Sequence, residues 1–381
     1  MTLSKQEYEK DTDLKLRTMR YLWNLGYYVR RNVPLTEAWA KSDQTDIDVL
    51  GVKVDEEFLS SFIVCDCKSG ASNGTKTRLF WLSGVMRYFG AERGIFVRTQ
   101  MLGTKYIELA DRLGIVSVSE DQLADLERSY VAGPSKNVGP FSGDFSKADL
   151  ELGKLKQRDR DTYEYVRIRY WEDPPHQQIL SLFPRARKIS KEDSDGDDSR
   201  AFQLAYMLSL ISLSIVRMAR SVMKVPPPQR EEAVKLSLLG GRIGYLERTE
   251  LLQGFYDFMT HEIQGRYKEK FPVSRREFVE NLVPPFAKYL ADLLVRLCQS
   301  PRAAISLPRL MELITYEVVL SKRSDDPEKH IMKQYPGLSA AEISRTAKDF
   351  LAFIERSGLS DPFLNHTIES AINNIEAQRS Q

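Results

Sequence analysis

Two short apolar runs that carry charge constrain this chain most. They are T-D-I-D-V-L-G-V at Thr45–Val52 and F-I-V-C-D-C-K-S-G at Phe62–Gly70, with the polar stretch Asp55–Phe58 between them. Each run is rich in β-branched residues and has strand length, and a short polar break between two such runs spells a hairpin. Side chains alternate faces along a strand. Asp66 and Lys68 therefore share a face with Val64, and Ile63, Cys65 and Cys67 share the other. On the earlier strand Asp46 and Asp48 lie on one side, Ile47 and Val49 on the other. A turn centred near Glu57 sets Asp48 opposite Asp66 and Asp46 opposite Lys68. A shift of two residues sets Asp46 opposite Asp66 instead. In either register two carboxylates and an ammonium converge on one patch of sheet.

Such a patch is costly to bury unless its charges are matched. A hard divalent cation between the carboxylates matches them. Mg²⁺ takes carboxylate oxygens, keeps several waters and accepts phosphate oxygens as further ligands. The expected metal ligands are Asp48, Asp66 and the backbone carbonyl of Cys67, with Asp46 as second choice; Mn²⁺ would serve in place of Mg²⁺. Lys68 then stands ready to orient or deprotonate a water, or to stabilise charge on a phosphate under attack. No histidine is available for this chemistry in the first third, because all four lie at position 176 or later. The bland alternative is a cross-strand salt-bridge ladder, whose pairs contribute only about 0.2–1 kcal/mol each.

The surrounding pattern is mixed. Glu7–Leu25 is amphipathic, with Leu14, Met19, Leu22 and Trp23 on one side, and stops at Gly26 as helices often do. Tyr27–Val33 reads as a strand ending before Pro34, Asp46–Val54 and Leu59–Lys68 as the hairpin, Ser69–Lys76 as a loop, and Thr77–Phe89 as a helix. Gly94–Arg98, Thr104–Leu113 and Ile115–Val118 complete a strand–helix–strand series. This order predicts an α/β domain over residues 1–130. Residues 131–146, rich in Gly, Pro, Ser and Asn, read as a linker. Residues 147–381 read as an all-α region for recognition, oligomerisation or contact with a partner protein. Within it, Ser190–Ser199 reads as an acidic loop, and Pro226–Pro228 as a break between helices. Ala201–Val216 is the most apolar stretch, but it is shorter than the ~20 residues of a bilayer span and reads as a core helix, not a membrane segment.

The order helix–strand–hairpin–helix–strand around D-x(17)-D-x-K resembles the PD-(D/E)XK nuclease superfamily, and most of all the Mrr-type restriction endonucleases and the Holliday-junction resolvases. In that pattern Asp48 fills the first acidic position, Asp66 the second and Lys68 the lysine. The resemblance covers about residues 5–125. It implies a restriction-endonuclease-like αβββαβ core with a mixed sheet, Mg²⁺ dependence and endonucleolytic cleavage of DNA, in restriction, phage defence or repair. A homodimer or a partner protein, held through the helical region, would supply cuts in two strands. Many members also reach the metal with a glutamate from the first helix. Here the matching position falls near Lys15, with Asp13, Asp11 and Glu9 earlier, so no catalytic role is assigned to that helix. The fold could also persist as a non-catalytic module that binds nucleic acid or assembles a complex.

Other signals carry less. Lys and Arg total 55 against 53 Asp and Glu, so any DNA contact must come from a local patch. Lys76, Thr77 and Arg78 at the start of the second helix, with Arg30 and Arg31 on the first strand, are the residues expected to meet phosphates; Arg17 and Arg20 are weaker candidates. Gly70–Thr77 misses the P-loop pattern, since Thr75 stands where glycine must precede the lysine. His261 and Glu262 lack the second histidine of a zinc-protease motif. The chain has three cysteines, of which Cys65 and Cys67 are read as small core residues. With no disulfide framework and a polar start unlike a signal peptide, a cytoplasmic location is expected.

Overall fold

The computed structural model describes residues 5–35, 45–69, 74–129, 145–191, 198–268, 272–275, 283–322, 335, 337–359 and 361–377. Its N-terminal part contains α1 (Lys5–Asn24), β1 (Tyr28–Leu35), β2 (Thr45–Val54), β3 (Ser60–Lys68), α2 (Thr75–Phe89), β4 (Arg93–Arg98), α3 (Thr104–Arg112), β5 (Ile115–Ser119) and α4 (Glu120–Ser129). The five strands form one mixed sheet in sequence order. β1, β2 and β3 are antiparallel neighbours, while β3, β4 and β5 run parallel, joined by α2 and α3. Parallel neighbours need a crossover, which the two helices provide.

β3 is central and covered on both sides. Thr18 of α1 lies against the Cys67 thiol, whereas Arg78 of α2 grips Asp66, the next residue back on the strand. Alternation along β3 therefore sends Cys67 to α1 and Asp66 to α2. All residues from Ile63 to Cys67 are buried. The strand is not half-solvated, as the hairpin reading implied; it has the two covered faces typical of a strand with parallel partners. α1 seats Leu14, Met19, Leu22 and Trp23 in this core. It ends at Gly26, whose φ of 91° is one that side chains resist.

Three features differ from the sequence expectation for identifiable reasons. β1 continues through Pro34, which pairs with Asp46 on the edge strand of the sheet, where a missing N–H is tolerated. The hairpin turn holds Phe58 in the left-handed region, and its ring is buried rather than solvated. The Asp55 carboxylate fixes that turn by accepting from the N–H groups of Glu57 and Leu59 at 2.9 and 2.8 Å. α4 was not anticipated, although Ser119 and Gln122 announce it. The Gln122 N–H donates to Ser119 Oγ at 3.2 Å and the Ser119 N–H to Gln122 Oε1 at 2.8 Å, a reciprocal capping box.

Beyond residue 144 the described elements are helical. The linker expected at 131–146 lies outside the described residues except for Phe145 and Ser146, which already belong to a helix. Most of the acidic loop also lies outside them. One helix, Asp198–Met223, has the length and hydropathy of a membrane span, but 94% of its apolar window is buried inside the protein. It is the core helix of this region, as its sequence suggested.

The helical region closes over β1. Arg30 pairs with the fully buried Glu312, donating to Oε2 at 2.9 Å. Tyr28 Oη donates to the same oxygen at 2.8 Å, and Ser209 Oγ reaches it at 2.8 Å. Arg309 donates to the carbonyl of Trp23 at 2.6 Å, and Arg167 to that of Asn32 at 3.0 Å. These bonds satisfy charges that would otherwise be costly to bury.

Candidate functional site

The β2–β3 register decides between the two pairings left open above. Val49 faces Cys65 and Leu50 faces Val64. Continuing by one residue brings Asp48 opposite Asp66, the arrangement of a turn centred near Glu57. Gly51 permits the close packing of this hairpin, because a Cβ there would stand 2.6 Å from Ile63 Cγ2. Asp46 lies two residues outside the pair and is exposed.

Every carboxylate oxygen of the pair has a donor. Asp48 Oδ2 accepts from the Cys67 N–H at 2.7 Å, and Asp48 Oδ1 lies 2.7 Å from Lys15 Nζ. Lys68 Nζ stands 4.0 Å from Asp48 Oδ2, with its side chain about one-third exposed. Asp66 is wholly buried and held by both arms of Arg78: Nε donates to Oδ2 at 2.8 Å and Nη2 to Oδ1. The Arg78 guanidinium lies 4.4 Å from the Trp81 ring centroid, which fixes the plane of the fork.

The two aspartates differ in proton affinity. Burial alone would raise Asp48, but Lys15, Lys68 and the Cys67 N–H together hold it below the ordinary carboxylate range. Asp66 is pushed up to about 6, chiefly by burial, with the neighbouring Asp48 adding to the effect and Arg78 opposing it. Burial works against the charge on Lys15, yet Asp48 and Asp11 keep its ammonium well above the usual lysine range. The inequality follows from the surroundings: burial dominates at Asp66, and two lysines outweigh burial at Asp48.

A hard cation would have only the acceptor capacity that the chain's own donors leave on these two buried aspartates. A carboxylate offers about four lone-pair sites, and donors from the chain take two on each aspartate. Oxygen ligands next to a lysine are the chemistry of Mg²⁺ or Mn²⁺. The Cys67 carbonyl, expected as a third ligand, sits at the β3–β4 ladder position paired with Val97. Among the described residues no cluster of three or more His, Cys, Asp or Glu side chains gathers as a ready-made cage.

The residues expected to meet phosphates divide into two groups. Lys76 and Thr77 are exposed on the first turn of α2. Lys68 and Arg98 are paired positions at the adjoining ends of β3 and β4, and Arg98 donates to Thr75 Oγ1 at 2.8 Å. This makes a cationic lip beside the aspartates. Arg30 is not on it: the guanidinium is buried against Glu312. Arg31 pairs with Asp149 of the helical region. Arg17 and Arg20 clamp α1 to α4 through Glu127, at 3.0 and 3.2 Å. All four serve packing. Arg78 does reach the site, but as the partner of Asp66 rather than as a free phosphate contact.

Sequence reading missed Lys15. It occupies the helix position where an acidic ligand was sought, and a lysine there passes for part of a solvated face. Its place in the apolar rhythm of α1, between the buried Leu14 and Leu16, was the available signal. Compared with protein-family models, curated proteins and solved structures, the chain matches none of them.

Proposed function

We propose that this chain is a metal-dependent endonuclease that hydrolyses phosphodiester bonds in DNA. The observation that carries the reading is the facing pair Asp48 and Asp66, with Lys68 4.0 Å from Asp48 at the rim of the sheet. The element order around the pair agrees with the αβββαβ core implied by the resemblance to PD-(D/E)XK nucleases. Asp48 and Asp66 would hold one Mg²⁺ or Mn²⁺, which supplies Lewis acidity toward a phosphate oxygen and a more acidic bound water. Lys68 holds a positive charge at the rim, where it neutralises a phosphate and orients the attacking water. Arg78 keeps Asp66 in one rotamer. Lys76, Thr77 and the N–H groups of the first turn of α2 offer donors to the DNA backbone.

The test is nicking of supercoiled and branched DNA with Mg²⁺ or Mn²⁺. Asp66→Ala and Lys68→Ala each lower the rate by about 10²-fold or more if the assignment holds, the scale seen when one charged transition-state partner is removed. Variants that cut like wild type overturn it.

One observation favours a second reading, a nuclease fold that binds nucleic acid without cutting. Lys15 and Arg78 already neutralise both aspartates from within the chain. That reading predicts retained DNA affinity with no Mn²⁺ binding and no turnover.

A partner surface is a separate part of the proposal. The 27-residue helix Gly241–Tyr267 has no buried residue, and it exposes Ile243, Leu251, Phe258 and Tyr267. A long helix seldom stays apolar and uncovered, so we assign this one to self-association or to a partner protein. Sedimentation of the full chain separates a dimer from a monomer.

A further inference from the structure

Lys15 is no part of the D-x(17)-D-x-K pattern, yet it makes one of the closest contacts in the site. Its Nζ lies 2.7 Å from Asp48 Oδ1, 3.0 Å from Asn32 Oδ1 and 3.3 Å from Asp11 Oδ2. An ammonium has three protons, and these three acceptors account for all of them. The side chain is only 13% exposed, so Lys15 is not a surface lysine swinging over the site. The acceptors are built in as well. Asn32 is held in the left-handed region, which asparagine tolerates better than most residues. Asp11 stands one helical turn before Lys15 on α1, where i and i+4 side chains meet.

This geometry divides Asp48 between two neighbours. Oδ1 turns toward α1 and belongs to Lys15. Oδ2, which accepts from the Cys67 N–H, is the oxygen nearer Lys68. Two-cation phosphodiester centres place ions about 3.5–4 Å apart around shared carboxylates. In this chain a fixed ammonium already occupies the α1 side of the carboxylate that would be shared. An acidic side chain from the first helix would open that side to a second ion; Lys15 closes it.

We propose that Lys15 is a permanent counter-cation of the site, a positioning residue that fixes Asp48 and restricts the centre to one divalent cation. The inference rests on the nuclease reading, since it concerns the cation that Asp48 and Asp66 would hold. It predicts that the ammonium competes with the metal for Asp48 through charge.

The experiment is titration of Mn²⁺ into the full chain without nucleic acid, with free Mn²⁺ followed by electron paramagnetic resonance. Wild type, Lys15→Gln and Lys15→Arg are compared. Wild type binds one Mn²⁺ per chain. Lys15→Gln, which removes a unit charge in direct contact with Asp48, binds Mn²⁺ about tenfold tighter or more. Lys15→Arg keeps the charge and stays within about threefold of wild type by the same argument. A merely structural lysine would leave the affinity unchanged or weaken it on removal. Wild type with one Mn²⁺ and Lys15→Gln with equal or lower affinity overturns the role of Lys15 and leaves the nuclease reading standing. Two Mn²⁺ per chain in wild type or in Lys15→Arg does the same, and decides the matter even if Lys15→Gln fails to fold. No Mn²⁺ bound by any of the three proteins overturns both.

Discussion

Two buried charge clusters lie on this sheet, and they are built on opposite principles. At the edge, Glu312 from the helical region meets Arg30, Tyr28 and Ser209. One carboxylate there has several donors, and among the described residues no second carboxylate shares them. Near the rim, Asp48 and Asp66 face each other; burial, with Asp48 adding to it, raises the proton affinity of Asp66, while Lys15 and Lys68 lower that of Asp48, and the donors to the pair come from two different helices. The first cluster is a lock between the sheet and the helical region. The second sets two carboxylates side by side, each matched by a cation from a different helix. Buried charge alone therefore does not separate the two clusters; a second carboxylate and a partly exposed lysine do.

The contrast can be broken at each cluster. The largest effect is expected at the lock. Glu312→Ala leaves Arg30 buried without its partner and should lower unfolding free energy by about 3–5 kcal/mol, the usual cost of halving a buried ion pair. Denaturant titration measures it, and a loss under ~1 kcal/mol would mean that the pair is not the lock. The next effect depends on pH. The folded-state affinity of Asp66 is raised from 3.8 to about 6, so the folded chain binds that proton more tightly than the unfolded chain. Wild type should lose stability, relative to Asp66→Asn, as pH rises from about 4 to about 6, by up to ~3 kcal/mol. Melting curves of both proteins across that window give the slope, and a difference that grows in the opposite sense contradicts the raised proton affinity of Asp66. The smallest effect is at the cationic lip. Lys76→Ala should weaken DNA binding only a few-fold and reduce the salt dependence by about one phosphate contact. Anisotropy at several salt concentrations would expose a larger or salt-independent loss.

Much of the rim cluster was legible because it is local. Asp48, Asp66 and Lys68 sit on one hairpin, and the polar turn between the strands limits the register to two choices. The capping box at Ser119–Gln122 was equally local and would have given α4. The lock was not legible. Arg30 and Glu312 are 282 positions apart, and on a strand Arg30 looks the same whether it meets solvent, phosphate or a buried glutamate. Lys15 falls between these cases. Its helical position was identified, but the residue type argued against a role until its contacts were seen. Arg78 was placed on the correct helix, but only tertiary packing aims it at Asp66.

The central claim is that Asp48 and Asp66 together hold a divalent cation. Mn²⁺ titration of wild type against the Asp48→Asn, Asp66→Asn double variant tests it most directly. Both substitutions keep side-chain size while removing charge, but each sets an amide NH2 against a donor that now meets a carboxylate oxygen, so the double variant loses stability and melting curves fix the temperature at which it is folded and titrated. The account predicts saturable binding of one Mn²⁺ by wild type and its loss in the double variant. Equal binding by both proteins, or none by wild type, would contradict it.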